Sequence, residues 1–585
     1  MRRRAGVVIT LASVLALVPA ASSGASPAST ATFRFYGSGF GHGIGMSQWG
    51  AYGLALKGWT HQQILMHYYS GTSVTTSTSE PSRIRVGLVD GVQVVHLSAK
   101  NGPVTLRIGA PAATAPVAWT IPRGATDLLK GGSGRFVLFD SSGARVGKPV
   151  AGSRTVYATY AASKARLASP EAGHTYNRGF VEIDDYSGCG TCRANLRMIA
   201  VVKPQEYLYG LGEVPSSWPM QAMQAQADAG RTYAEFLIKA LGQHRAGCNC
   251  GVYDDTRNQV YAGWDHEGEY QGARWVQAVD DTAAEVVRYR GALIDAEYMS
   301  SSGGYTEDVQ NVWGGTALPY LQGVCDPGDY TSANPAKAWR VSLTAAQVTS
   351  RLQPYTGNIG TVTRFGQIHR GVSGRLLSLS AVGTTGSASL SGTTFRGALG
   401  LLDDRVWIDH DKNVTGPIRV KYDALECAPG MPAAPQRTVA GGAVQRFAVG
   451  AIYRNSGASV TAWLRGPIER EYVAVKATAG VLGPPLSSVV TLTAPPGCGT
   501  TACDKAHFTN GSIYFRSDTG AHELDGPVLK YFLAAGAARG HLGFPATDVT
   551  GTDTGGTRAT FSGQGGGAIV VTCAKGGTCA ESPAK

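Results

Sequence analysis

The clearest periodicity in the chain lies between residues 219 and 242. Met220, Met223, Ala227, Gly230, Ala234, Leu237 and Leu241 recur at spacings of three and four. Gln221, Gln224, Asp228, Arg231 and Glu235 recur in the same way on another face. This is the pattern of a helix with an apolar and a polar side, with Pro219 in its first turn and Ser217 as its candidate cap. Two shorter helices are predicted near the start, over Ser47 to Leu56 and after Thr60. Thr60 is followed three residues later by Gln63, a capping box, and this helix stops at Gly71. Residues 82–200 alternate or run apolar, as in Arg83-Ile-Arg-Val-Gly-Leu-Val and Val92-Gln-Val-Val-His-Leu, and predict strands. Residues 195–203 predict a buried strand. Arg274 to Val287 reads as helix, Leu293 to Met299 as strand, Ala345 to Leu352 as a short helix and 361–408 as strands again.

Residues 428–440 hold three prolines in Ala-Pro-Gly-Met-Pro-Ala-Ala-Pro-Gln and predict a stiff linker. Beyond it the chain repeats itself. Val444-Gln-Arg-Phe-Ala-Val-Gly-Ala-Ile-Tyr453 parallels Lys505-Ala-His-Phe-Thr-Asn-Gly-Ser-Ile-Tyr514, an offset of 61, and Leu482-Gly-Pro-Pro485 parallels Leu542-Gly-Phe-Pro545, an offset of 60. A third copy is expected to start at Phe561 and to be cut short at Gly567-Ala-Ile569. Repeats of this length stack or form blades.

Composition sharpens the picture in two places. Hydrophobic residues make up 43% of the 585-residue chain, enough for real cores, so disorder is excluded. A net charge of +11 suits acidic partners such as nucleic acid, anionic lipid or anionic wall polymers, and the absence of any dominant Lys/Arg block weighs against nucleic acid. Arg2, Arg3 and Arg4, a short apolar run from Gly6 to Val18 and small residues from Ala20 to Ala25 read as a signal peptide, residues 1–25. No other segment is apolar enough to span a membrane, so the mature chain is expected to be secreted without an integral membrane segment. Export suits the ten cysteines. Cys498/Cys503 and Cys573/Cys579 are expected to clip local loops, and pairing among Cys189, Cys192, Cys248, Cys250, Cys325 and Cys427 stays open.

Candidate chemistry centres on Glu213, in Tyr207-Leu-Tyr-Gly-Leu-Gly-Glu-Val-Pro-Ser-Ser-Trp-Pro219. A carboxyl among glycine, proline and tryptophan is partly desolvated, which raises its pKa toward that of a general acid. The helix N-terminus beyond it favours the anion and opposes this shift. Such surroundings alone do not separate a catalytic carboxyl from an ordinary loop glutamate.

The longer match does. Glu213-Val-Pro-Ser-Ser-Trp-Pro219 and Ala222-Met-Gln-Ala-Gln-Ala-Asp-Ala-Gly-Arg-Thr-Tyr-Ala234 closely resemble the core of the SpoIID/LytB family, with Glu213 at the place of its catalytic glutamate. Glu206, the rival acid in the lead-in, reads as structural. Gly39-Phe-Gly-His-Gly-Ile-Gly-Met-Ser-Gln-Trp-Gly-Ala51, Tyr298-Met-Ser-Ser-Ser-Gly-Gly-Tyr-Thr306 and the stretch Ser373 to Leu401 resemble further family blocks. The Gly-His-Gly block normally follows the last of these. Here it comes first, so the sequence is circularly permuted, and residues 33–71 are expected to pack beside 391–408 and bring His42 towards Glu213. The repeats resemble LGFP repeats.

The resemblance implies an α+β fold: a SpoIID-like mixed sheet and helix core over residues 26–427, with a β-rich subdomain at 82–170, the linker at 428–440, and a small β-rich repeat domain at 441–585. It implies a lytic transglycosylase that cuts MurNAc-GlcNAc β-1,4 bonds with Glu213 as sole acid/base. His42, Ser47, Gln48, Arg231, Ser301, Ser302 and Thr306 are expected to bind substrate or orient the acid. His42 reads equally as a satisfied histidine between glycines, and Arg231 as a structural ion-pair partner. Some family members hold a metal through a His-Cys-Gln-Val-Tyr segment, which here is Arg257-Asn-Gln-Val-Tyr261. His244, Cys248, Cys250, Cys189 and Cys192 remain nearby, but no metal and no cofactor are expected. Expected partners are peptidoglycan glycan strands and, through the repeats, cell-wall polysaccharide. The competing readings are a non-catalytic enhancer of a wall amidase and a purely wall-binding structural protein.

Overall fold

The computed structural model describes residues 31–584 except 162–164, 187–195, 410–413, 494, 497 and 499–501. The signal segment and Cys189 and Cys192 lie outside the described residues. With 22% helix and 36% strand in separate sheets, the fold is α+β with a β-rich C-terminal region.

The strand-rich part resolves into two sheets. One has seven strands, with Leu196–Val202 flanked by Ile84–Val92 and Phe180–Asp185. The other has six and includes Val94–Lys100 and Arg166–Ser169. Alternation explains the packing: Val95, Leu97, Leu129 and Leu167 on one sheet and Leu106, Val156, Val181 and Ile183 on the other are buried in the same cluster.

Four helices position the site: α1 (Gln48–Leu56), α2 (His61–Tyr68), α3 (Pro204–Tyr209) and α4 (Met220–Leu241). Ser47 caps α1 through Gly50 N–H, and Thr60 and Gln63 form the expected capping box on α2. α4 departs from its expected cap and its expected wet face. Pro219 is itself the N-cap and makes no side-chain cap bond. Every residue from 222 to 235 is buried, including the polar row. That row is paired inside the protein: Gln224 with Asp281, Arg231 with Asp228, and Glu235 with the Ser77 hydroxyl. Periodicity shows that two faces differ; it does not show that a second layer covers the polar one.

Other expectations need correction. The segment 274–287 splits into a helix, Gly272–Asp281, and a strand, Glu285–Tyr289, where β-branched Val286 and Val287 are buried in a sheet. Among the strands of 361–408 lies a helix, Gly392–Leu399, capped by the Ser391 hydroxyl.

The N-terminal strand Thr32–Gly37 is the middle strand of a three-stranded sheet, between Trp339–Thr344 and Val406–Ile408. Phe33 and Phe35 join Leu343, Phe395 and Val406 in a second core. The glycine block that follows threads tightly between elements. Gly45 has φ 71°, and a Cβ there would overlap the Glu297 carbonyl. Gly45→Ala is therefore expected to cost about 1–3 kcal/mol in backbone strain alone, before the clash, and to lower the thermal midpoint measurably.

Beyond residue 414 the chain builds three four-stranded sheets, each opened by the same bridge: Pro432 to Phe447, Pro485 to Phe508 and Pro545 to Phe561. The third copy is not cut short at 567–569: its sheet runs from Thr550–Gly551 to Cys579–Pro583. Nor is 428–440 all linker, because Arg437–Val439 is the first strand of the first sheet. The helix Gly416–Ala424 opens with Gly-Pro-Ile, as does Gly466–Ala474, and Ile418 and Tyr422 pack with Phe447 and Ile452 of that sheet. Helix-first units thus begin ahead of the proline-rich stretch. Disulfides join Cys498 to Cys503 and Cys573 to Cys579, as expected, and also Cys248 to Cys250 and Cys325 to Cys427. No helix among the described residues is long and apolar enough to cross a membrane.

Candidate active site

Glu213 sits in the turn between α3 and α4. The turn is pinned to residues 260–263: Leu211 bridges Tyr261, and Gly212 N–H donates to the Val260 carbonyl at 2.9 Å. The reverse bond reaches the side chain, where Val260 N–H donates to Glu213 Oε1 at 2.7 Å. Gln48 Nε2, from the N-terminal block, lies 3.4 Å from Glu213 Oε2 and 3.3 Å from Gln226 Oε1. Trp49 and Tyr52 of that block pack against Trp218, the first tilted and the second edge-on, with centroids 4.8 and 5.1 Å apart. The N-terminal glycine block and the segment around residue 213, far apart in sequence, thus meet at one carboxyl.

Burial raises the Glu213 pKa above its ordinary value; the Val260 N–H and hydrogen bonds from Tyr298 and Gln48 oppose the shift. Tyr298 is held in turn by a buried relay. Tyr207 OH donates to Gln259 Oε1 at 2.9 Å, and Gln259 Nε2 donates to Tyr298 OH at 3.0 Å. That leaves the Tyr298 hydroxyl hydrogen for Glu213. Tyr298→Phe removes a donor to the anion, so the Glu213 pKa is expected to rise further. The alkaline limb of any activity that needs protonated Glu213 is then expected to move to higher pH, as a pH-rate profile would read.

Glu213 and Gln48 line a cleft of about 520 Å³ together with His42, Arg257, Glu297, Trp313 and Arg396. Glu297 is a second carboxyl there. Burial, then the Asp295 charge, pushes its pKa up to about 8, so at neutral pH it is largely protonated. Glu206 lies elsewhere, accepting Lys203 N–H at the start of α3.

The expected substrate residues divide sharply. Gln48 and His42 line the cleft, but both His42 ring nitrogens are engaged by backbone. Nδ1 accepts from Ile44 N–H at 3.1 Å, and Nε2 donates to the Tyr298 carbonyl at 2.9 Å. Burial lowers its pKa to about 4, so it is a neutral, fixed ring that positions Tyr298. The other five residues do not line the cleft. Ser47, Ser301 and Ser302 are fully buried around Asp329 and Asp326. Ser47 Oγ donates to Asp329 Oδ1 at 2.9 Å, Ser301 Oγ to the same carboxylate at 3.0 Å, and Ser302 Oγ to Asp326 Oδ2 at 2.6 Å. Thr306 is buried and accepts Val324 N–H. Arg231 is 2% exposed, bonded to Asp228 and the Glu285 carbonyl. These motif residues hold the walls together because each short hydroxyl is spent on a buried carboxylate or backbone group.

Sequence reasoning missed Tyr298, Gln259 and Glu297. Tyr298 opens a block whose serines drew the attention, and Gln259 lies in a segment read only for lost metal ligands. The thiols of Cys248 and Cys250 are spent on each other, which removes them as metal ligands.

Comparison with known proteins agrees with this geometry. The profile of SpoIID, Stage II sporulation protein, matches residues 193–289, which hold α3, Glu213, α4 and Gln259. The LGFP repeat profile matches residues 482–540. The chain is 34% identical over 139 residues to the "Amidase enhancer" of Bacillus subtilis (strain 168), covering 24% of this chain and 17% of that protein. It is 30% identical over 157 residues to the "Stage II sporulation protein D" of the same organism, covering 25% of this chain and 45% of the relative. The chain thus spans less than half the length of these curated relatives. Residues 193–289 are a SpoIID domain segment, and an LGFP repeat follows it in the same chain.

Proposed function

We propose that the chain is a secreted lytic transglycosylase of peptidoglycan, held at the cell wall by its C-terminal repeats. The SpoIID and LGFP matches support a cell-wall-related function at the coarser level. The observation that carries the finer reading is Glu213 itself: a carboxyl with a raised pKa in an open cleft, at the place of the family glutamate, oriented by Val260 N–H on Oε1 and by the longer contact of Gln48 on Oε2. Val260 N–H holds Oε1 at 2.7 Å, whereas Gln48 reaches Oε2 only at 3.4 Å, so Oε2 is the better oxygen to bear a transferable proton. It protonates the leaving glycosidic oxygen as the MurNAc-GlcNAc bond breaks. The resulting carboxylate then takes the proton of the muramyl 6-hydroxyl, whose oxygen closes a 1,6-anhydro ring at C1, and no water is consumed.

Hydrolytic glycosidases need a second, ionised carboxylate as base or nucleophile. Glu297 is the carboxyl on hand in the cleft, and it is largely neutral at pH 7. That favours ring closure over hydrolysis. The test is product analysis after the mature chain acts on glycan strands stripped of peptides. Anhydro-muramyl ends are expected; free reducing ends would make it a hydrolase, and no cleavage would sink the enzyme reading.

The likeness to an amidase enhancer favours one alternative, a non-catalytic partner of a wall amidase. In that case the chain releases no glycan ends yet speeds stem-peptide release by an added amidase. The tether predicts that residues 414–585 are retained by isolated walls in a pull-down.

A further inference from the structure

A second cluster of ligating groups lies apart from the cleft residues. His61 is the first residue of α2, Asp228 sits midway along α4, and Glu285 opens the strand Glu285–Tyr289. His61 Nε2 is 3.0 Å from Glu285 Oε2 and 3.8 Å from Asp228 Oδ2. One ligand atom from each of the three lies within 4.8 Å of the others.

The buried Asp228 carboxyl leaves the cluster incomplete as it stands. Asp228 is fully buried, and its Oδ1 takes the Arg231 guanidinium at 2.9 Å. Its Oδ2, facing His61, has no hydrogen-bond partner. A buried carboxylate oxygen left without a donor is costly.

The histidine points the same way. Gln221 Oε1 accepts the His61 backbone N–H at 2.6 Å, which fixes the oxygen end of that amide, and the same oxygen is 3.3 Å from His61 Nδ1. An amide oxygen only accepts, so Nδ1 carries the hydrogen. With Nδ1 turned to Gln221, Nε2 is the ring nitrogen that faces both acidic side chains, 3.0 Å from Glu285 Oε2 and 3.8 Å from Asp228 Oδ2. An imidazole nitrogen and two carboxyl groups facing one point make a ligand set for a metal ion, whose charge would offset the burial that pushes the Asp228 carboxyl upward.

We propose that His61, Asp228 and Glu285 bind a divalent transition metal, zinc by the chemistry of the set. Imidazole with carboxylates suits zinc, whereas all-oxygen sets suit magnesium and calcium. Zinc bonds of about 2.0–2.2 Å to N and O ligands separate neighbouring ligand atoms by roughly 3–3.6 Å, and the two observed spacings bracket this range. His61 and Glu285 are partly exposed, which leaves an entry path and room for water as a further ligand. The ion ties α2 of the N-terminal block to α4 and the strand behind it, so its role is to clamp the permuted segment.

The test uses the full mature chain stripped with a chelator and titrated with ZnCl2 in a calorimeter, with thermal melts alongside. One equivalent of zinc is expected to bind and raise the melting midpoint. His61→Ala and Glu285→Gln, both at partly exposed positions and therefore foldable, are each expected to weaken binding at least tenfold and abolish the shift. Binding that survives both substitutions places zinc elsewhere and overturns the proposal. So does an absence of binding, which NMR would trace to an imidazolium at His61 ion-paired with the two carboxylates.

Discussion

Glu213→Gln is expected to cut the release of anhydro-muramyl ends from denuded glycan by about 10²–10⁴-fold, the range lost when a positioned general acid is removed. The substitution is nearly isosteric. A glutamine oxygen still accepts the Val260 N–H, so the turn pinned at 2.7 Å keeps its shape and the melting midpoint is expected to stay put. What disappears is the proton. The wild-type rate is also expected to fall as pH rises through the Glu213 pKa, because the step begins with the protonated form. Burial places that limb above the ordinary glutamate value. Retention of activity within tenfold by the glutamine variant would remove Glu213 from the chemistry.

Arg375→Ala is expected to be the most damaging single substitution for stability. The guanidinium is wholly buried and donates to Asp403 Oδ2 at 3.0 Å, the Ser302 carbonyl at 2.8 Å and the Tyr305 carbonyl at 2.8 Å, with Asp404 3.5 Å away. Removing it strands two buried carboxylates and two carbonyls. Breaking a buried pair from one side costs about 3–5 kcal/mol, which for a core of this size lowers the midpoint by roughly 4–6 °C. Its side chain also fills the space where a Cβ on Gly43 would sit, so the loss reaches the glycine block beside His42. Differential scanning calorimetry reads both effects, and an unchanged midpoint would show that the network carries no net stability.

What could be read from the sequence followed from how local its cause was. The capping box of α2 and the periodicity of α4 depend on residues three and four apart, and both stand in the structure. The burial of Asp228 and Arg231 depends on α2 and on residues 285–289, more than fifty positions away, and no local pattern reports it. Glu213 and Gln48 could be found because long motifs surround them. Ser301, Ser302 and Thr306 also belong to a motif, the nine residues from Tyr298 to Thr306, yet they serve buried carboxylates at Asp326 and Asp329 and the Val324 backbone. A motif shows that residues are needed together; only geometry separates a wall from its lining. Glu297 stayed hidden for the opposite reason, since nothing near it in sequence announces that burial will keep it protonated.

The place of the strand Thr32–Gly37 sets a timetable for assembly. It is the central strand of its sheet, yet both neighbours come from the far side of the core, at residues 339–344 and 406–408. A chain made from its N-terminus forward therefore holds this strand without either neighbour until about 340 residues exist, and without the second until about 400. Closing so long a loop is slow, and no local contact rewards it early. The cleft, whose lining includes Arg396, is likewise complete only when the core is almost fully made.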